Sequence, residues 1–110
     1  MVSERVRERY LRDPLPIRLG GLAADLARIA SFAENPNNRQ VIAGLLEESK
    51  YFAEWIAPEA PLDIQEQLAQ IQVSVALWQL EWMDGRPDPA MRQHAQRWSD
   101  RLLKLAGLGL

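Results

Sequence analysis

The sequence predicts an all-α protein: an antiparallel up-down-up-down four-helix bundle preceded by a short helical or extended N-terminal arm. One indication is a set of X-Pro junctions at Asp13-Pro14, Asn35-Pro36, Ala60-Pro61 and Asp88-Pro89. Proline suits the first turn of a helix, because its missing N–H would have no partner there and its φ is already helical. The other indication is that each junction precedes apolar residues of helical period.

The apolar spacing assigns one buried stripe to each predicted helix. We expect helices over approximately residues 14–34, 36–57, 61–83 and 89–106, with residues 1–12 as the arm. The first two stripes are Leu15, Leu19, Leu22, Leu26, Ile29 and Ala33, then Ile42, Leu45, Ser49, Phe52 and Ile56. The last two are Ile64, Leu68, Ile71, Val75, Trp78 and Trp82, then Met91, Ala95, Trp98, Leu102 and Leu105. Trp55 lies beside the second stripe.

The predicted connections are short, so consecutive helices should be antiparallel neighbours. Gly85 suits the residue after the third helix, where a left-handed backbone is common. Gly20 and Gly21 are a weak point, since two glycines cost a helix about 1–2 kcal/mol. Either the first helix begins near Gly21, or another backbone approaches closely there.

Composition predicts a single cytoplasmic domain spanning residues 1–110. The chain is 47% hydrophobic and 25% charged, which is ordinary for a globular protein. It has no cysteine, which excludes disulfides and thiolate chemistry. The first 13 residues carry charge throughout and lack the apolar core of a secretory signal. With no apolar run of roughly 20 residues and a net charge of −2, we expect no membrane partner.

Few residues carry recognisable chemistry. The single histidine, His94, follows Met91 at the spacing where a di-iron bundle would need glutamate, so that site is excluded. No serine sits in a nucleophile motif, and no glycine-rich phosphate loop is present. Basic residues interleave with acidic ones, as in the spacing of Glu8 to Arg12 and of Asp100 to Lys104, which disfavours nucleic acid. We therefore predict no enzyme activity and assign no catalytic, cofactor-binding or metal-binding residue.

One acidic set resembles a known enzyme class. Glu47-Glu48 on the second helix and Glu81-x-x-Asp84 at the end of the third are similar to the glutamate-rich signature of all-helical nucleotide pyrophosphohydrolases. Such a resemblance implies magnesium-dependent hydrolysis. The third acid expected after the first pair is missing, since Tyr51 stands there. In the predicted hairpin the two acidic groups are separated by roughly 13 Å, too far to share one ion, so a solvated surface is preferred.

The third helix carries a second apolar stripe, opposite its core stripe. We name it the outer seam and define it as Ala69, Val73, Ala76, Leu77 and Leu80. A helix that is apolar on opposite faces needs cover on both. Either the N-terminal arm covers the seam, through Val2, Val6 and Tyr10, or another protein does.

The sequence therefore predicts a non-catalytic interaction module that self-associates through the outer seam. The partner is a second copy, giving a homodimer, or another protein. The alternative is a bundle that binds a small apolar ligand or cofactor between its helices.

Overall fold

The computed structural model describes residues 3–107, and this part of the chain is all helical, with no strand. The all-α class is confirmed. Five α-helices and two 3₁₀ turns follow one another in this range: α1 (Glu4–Arg12), α2 (Leu15–Phe32), a turn at Pro36–Asn38, α3 (Arg39–Ile56), a turn at Ala57–Glu59, α4 (Leu62–Met83) and α5 (Met91–Leu105). None of these helices combines the length and hydropathy needed to cross a membrane.

The N-terminal arm is a true helix from Glu4 onward. Ser3 caps it, because its hydroxyl accepts a hydrogen bond from the Val6 N–H at 3.2 Å. The helix ends where Asp13 turns to extended backbone before Pro14. Of the predicted arm stripe, Val2 lies outside the described residues.

The proline junctions begin helices as predicted, with small shifts. Pro36 follows Asn35, whose side chain accepts from the Asn37 N–H at 2.9 Å. Pro14 and Pro61 sit one position earlier than expected, in the extended cap position of α2 and α4. The last helix begins two residues after Pro89, because the Asp88 carboxylate accepts from the Ala90 N–H at 2.8 Å and forms a turn first.

Two glycines, Gly85 and Gly21, stand where the sequence predicted a particular feature of the backbone. Gly85 ends α4 with φ +72°, and the Arg86 N–H donates to the Glu81 carbonyl at 2.9 Å, so the predicted C-terminal glycine is confirmed. At Gly21 neither predicted explanation holds. The helix continues through it from Leu15, and the close neighbour is a side chain, since a Cβ there would lie 3.4 Å from the Tyr10 ring.

The core lies around α2, which packs against α3 on one side and α5 on the other, while α4 packs against α3. Helix α5 contacts α2 far more extensively than α4. The reason is the small residues between α2 and α5. They are buried and let the backbones approach: Ala23, Ala30, Ala95 and Ser99. The Ser99 hydroxyl donates to the Ala23 carbonyl at 2.8 Å.

This close approach corrects the predicted stripe of α5. Ser99 is buried where Trp98 was expected, and Trp98 is only partly buried at the edge of the core. Leu105 is exposed, although Met91, Ala95 and Leu102 are buried as predicted. The remaining stripes follow the prediction closely, apart from partial burial at Leu15, Ala33, Leu45 and Trp82.

A buried arginine ties one end of the molecule together. The Arg18 Nε donates to the Asp13 carbonyl at 2.9 Å, and its guanidinium pairs with Glu59 in the turn before α4. The Arg18 carbonyl accepts from the Tyr10 hydroxyl at 2.6 Å. These contacts hold the junction between α1 and α2 against the junction between α3 and α4.

Candidate functional site

Helix α4 has one face in the core and the opposite face in solvent. Its buried residues are those of the predicted core stripe: Ile64, Leu68, Ile71, Val75 and Trp78. Because α4 packs mainly on α3 and only marginally on α5, no other element of residues 3–107 is stacked on its outward side. The outward side is therefore available to another molecule.

All five residues of the outer seam are exposed on that side. The exposed fractions of its large members are 63% for Val73, 52% for Leu77 and 62% for Leu80. Leu62 and Met83 are also exposed and extend the apolar surface toward the two ends of the helix. Contiguous apolar surface of this kind is uncommon on a monomer and typical of binding sites.

Helix α1 does not cover the outer seam. It lies on α3, where the Tyr10 ring stacks on Phe52 with centroids 3.9 Å apart and planes 4° from parallel. The Trp55 ring lies 6.0 Å from Tyr10, and the Arg7 guanidinium sits over the Trp55 indole. The arm's apolar residue Tyr10 therefore covers α3. The internal alternative from the sequence is wrong for residues 3–12.

The seam lies in a stretch of α4 without charge. Positions 67 to 80 contain no acidic or basic residue, and their polar members are glutamine and serine. Charged residues of α4 stand only near its ends, at Asp63, Glu66 and Glu81. This surface can therefore meet an apolar partner without stripping water from an ion.

A second feature, which the sequence did not indicate, is a carboxyl pair in the core. Asp25 on α2 is 1% exposed and lies beside Glu48 on α3. Burial, followed by a hydrogen bond with the Glu48 carboxyl, raises the pKa of Asp25 to about 8. Arg28 contacts one Asp25 oxygen at 3.2 Å, while no N–H or O–H donor of the described residues reaches the other. That oxygen is satisfied when it carries the proton and donates it to Glu48.

The carboxyl pair changes the interpretation of the acidic residues. Glu48 was expected on a solvated surface, but it is half-buried against Asp25. Among residues 3–107, no three or more histidine, aspartate or glutamate side chains lie close enough to hold a metal ion. The set that resembles pyrophosphohydrolases is thus not assembled as a metal site here. Asp25 is closed off from solvent, which leaves a substrate no access to it.

A third feature is a groove between α4 and α5. It has a volume of about 700 Å³. Helix α5 packs extensively on α2 and makes few contacts with α4, and the groove lies on this sparsely packed side. Trp98 and Leu105 contribute apolar surface, and Gln70 lines it from α4. Its basic residues are His94, Arg97, Arg101 and Lys104, whose 3-4-3 spacing is visible in the sequence.

No family model, curated protein sequence or solved structure matches this chain.

Proposed function

We propose that this chain is a non-catalytic interaction module that forms a homodimer through the outer seam of α4. In this proposal helices α2 to α5 form an antiparallel four-helix bundle, and the protein is cytoplasmic. Two contacts support the bundle. The indole of Trp82, at the end of α4, donates to the Arg39 carbonyl at the start of α3 at 3.1 Å. Arg92, near the start of α5, pairs with Glu34, just beyond α2.

The observation that carries the proposal is the exposure of Val73, Leu77 and Leu80 on an uncharged helix face. Burying an aliphatic side chain of this size contributes roughly 1.5–3 kcal/mol before the costs of association. Three such side chains on each of two copies give a gross contribution of roughly 9–18 kcal/mol at full burial, from which the cost of association is subtracted; a micromolar dimer requires a net of about 8 kcal/mol.

A second copy is the partner that fits this surface best. Two uncharged faces meet without repulsion, whereas a partner with a charged face would lose hydration and find no opposite charge. The contact between two copies is self-complementary when each large side chain meets a small one. The spacing of the seam meets this condition in one orientation.

That orientation is antiparallel. With the two-fold axis beside positions 74 and 75, Ala69 lies opposite the partner's Leu80 and Val73 opposite the partner's Ala76. The same register leaves Asp63, in the first turn of α4, beyond the end of the partner's α4 and away from the partner's own Asp63. Parallel pairing would instead place Asp63 against its own copy, which is unfavourable. We therefore propose an antiparallel α4 pair.

Sedimentation velocity tests the dimer. The unmodified chain should sediment as a dimer at micromolar concentration, and Val73→Glu/Leu80→Glu should be monomeric with an unchanged far-ultraviolet circular dichroism spectrum. Two glutamates are chosen so that no opposite-charge pair forms across the contact. The matched control, Ile17→Glu/Val41→Glu, changes exposed apolar residues on α2 and α3 and should leave the dimer intact. A monomeric unmodified chain would refute the proposal.

Cysteine cross-linking tests the orientation, since the chain has no cysteine of its own. In the antiparallel pair, a mixture of Ala69→Cys and Leu80→Cys chains should form a mixed disulfide. Either variant alone should not, because its two copies of the thiol would be roughly 16 Å apart along the helix axis. Disulfides within each single variant, and none in the mixture, would indicate parallel pairing while leaving the dimer itself in place.

A further inference from the structure

The groove between α4 and α5 has a cationic rim and an apolar floor. The rim is formed by His94, Arg97, Arg101 and Lys104, all of them exposed. They follow one another along a single face of α5 and extend over roughly 15 Å of its length. The floor is formed by the partly buried Trp98 and by Leu105. Both kinds of surface therefore lie within one concavity.

The positive charges of the rim are not used within the described fold. Arg97, Arg101 and Lys104 form no ion pair with any residue between 3 and 107. The acid in the groove, Asp100, accepts a hydrogen bond from Gln96 at 3.0 Å and leaves Lys104 free. Three permanent positive charges thus face one negative charge.

The shape of the groove separates it from an ordinary basic surface. Basic side chains on a convex helix face extend into water and attract anions only weakly. Here they line one side of an open groove of about 700 Å³, which α4 borders through Gln70; this volume is within the range of sites for small organic ligands. An indole face and a leucine side chain supply apolar contact, and arginine provides the paired N–H donors that match a carboxylate or a phosphate.

We propose that this groove binds an amphipathic organic anion. Its aliphatic or aromatic body would lie against Trp98 and Leu105, and its carboxylate or phosphate would be held by Arg97, Arg101 and Lys104. This proposal does not require the dimer, because every lining residue of the groove except Gln70 belongs to α5 and none belongs to the outer seam. It also replaces the apolar ligand expected from the sequence with a charged one, since the rim carries a net positive charge.

Decanoate is a suitable probe, with decanol as its uncharged counterpart. Binding is followed by isothermal calorimetry and by the indole N–H resonance of Trp98, assigned by its loss in Trp98→Phe. We expect decanoate to shift that resonance with saturation and to bind at least tenfold more tightly than decanol. Raising the salt concentration should weaken decanoate binding and leave decanol unaffected.

The charge-matched variants are Arg97→Gln/Arg101→Gln and, as control, Arg5→Gln/Arg9→Gln on the exposed side of α1. The first should reduce decanoate affinity at least tenfold, and the second should not change it. Val73→Gln/Leu80→Gln, which removes the apolar side chains of the outer seam without adding charge beside the groove, should bind decanoate normally and so separates this test from that of the dimer. Inorganic phosphate alone should bind far more weakly than decanoate, because it cannot use the floor.

Four results would overturn the proposal. The first is equal affinity for decanoate and decanol, and the second is an equal loss of decanoate affinity in the two arginine variants. The third is a Trp98 indole resonance that decanoate does not shift. The fourth is tighter binding of inorganic phosphate or of a thymidine oligonucleotide than of decanoate. The first indicates a purely apolar site, and the last a site for phosphate or nucleic acid.

Discussion

The carboxyl pair in the core makes a specific prediction about stability and pH. Asp25 is buried with its pKa raised to about 8, against an ordinary value near 4 in the unfolded chain. Between these two values the folded protein holds one proton that the unfolded chain has released. The free energy of unfolding must therefore fall as pH rises through this interval.

The magnitude follows from the same two values. One proton of difference changes the free energy of unfolding by about 1.4 kcal/mol per pH unit. Across about four units the loss is roughly 5–6 kcal/mol, which is a large part of the total stability of a small domain. The stabilisation is fully present below about pH 4 and is lost as pH rises through about 8.

Asp25→Asn is the perturbation that isolates this effect. The amide is close in shape to the protonated carboxyl, can donate to Glu48 and carries no titratable proton. We expect the stability of the variant relative to the unmodified chain to be lowest at pH 4.5 and to rise by several kcal/mol up to about pH 8, after which it stays constant.

The assay is urea denaturation followed by circular dichroism, at intervals from pH 4.5 to 9. Other titrating groups affect both proteins, so the informative quantity is the difference between their unfolding free energies at each pH. Glu54→Gln, at an exposed position on α3 outside the proposed dimer contact, serves as the control for loss of a carboxylate. A difference between Asp25→Asn and the unmodified chain that stays constant with pH would refute the reasoning.

Two further predictions concern packing. Trp78→Ala should destabilise the fold by about 3–5 kcal/mol, because Trp78 is buried and its loss leaves a cavity. Trp55→Ala should cost less, since water can fill part of its half-exposed site; equal losses in denaturant titrations would contradict this. Gly44→Ala should stabilise α3 by up to about 1 kcal/mol, because a Cβ there meets no atom within 4 Å. Gly21→Ala should gain less, because its Cβ would press on the Tyr10 ring; calorimetric melting temperatures that rank the two variants in the opposite order would exclude this.

The helix boundaries could be predicted from the sequence because their causes are local. A proline, a capping side chain such as Asn35 and a glycine such as Gly85 each affect the backbone within one helical turn. Their effect on where a helix begins or ends does not depend on which helix packs nearby. The two apolar stripes of α4 were equally readable, because helical period alone assigns residues to faces. The exposure of the five outer-seam residues follows from the same helical period, while their role in binding stays a prediction.

The tertiary structure decided which side chains those faces would meet. Ser99 is buried and Trp98 is not, because alanines on α2 let α5 approach closely there, and hydrophobicity along one helix cannot reveal its neighbour. Because α5 packs closely on α2 and contacts α4 only slightly, a groove is left between α4 and α5. Asp25 and Glu48 are 23 positions apart, and only the packing of α2 on α3 brings their carboxyls together. Helical period and caps act over a few residues, whereas interhelical distance depends on side chains from two helices at once. That is why the sequence determined the elements and the seam, and the packing determined the carboxyl pair and the groove.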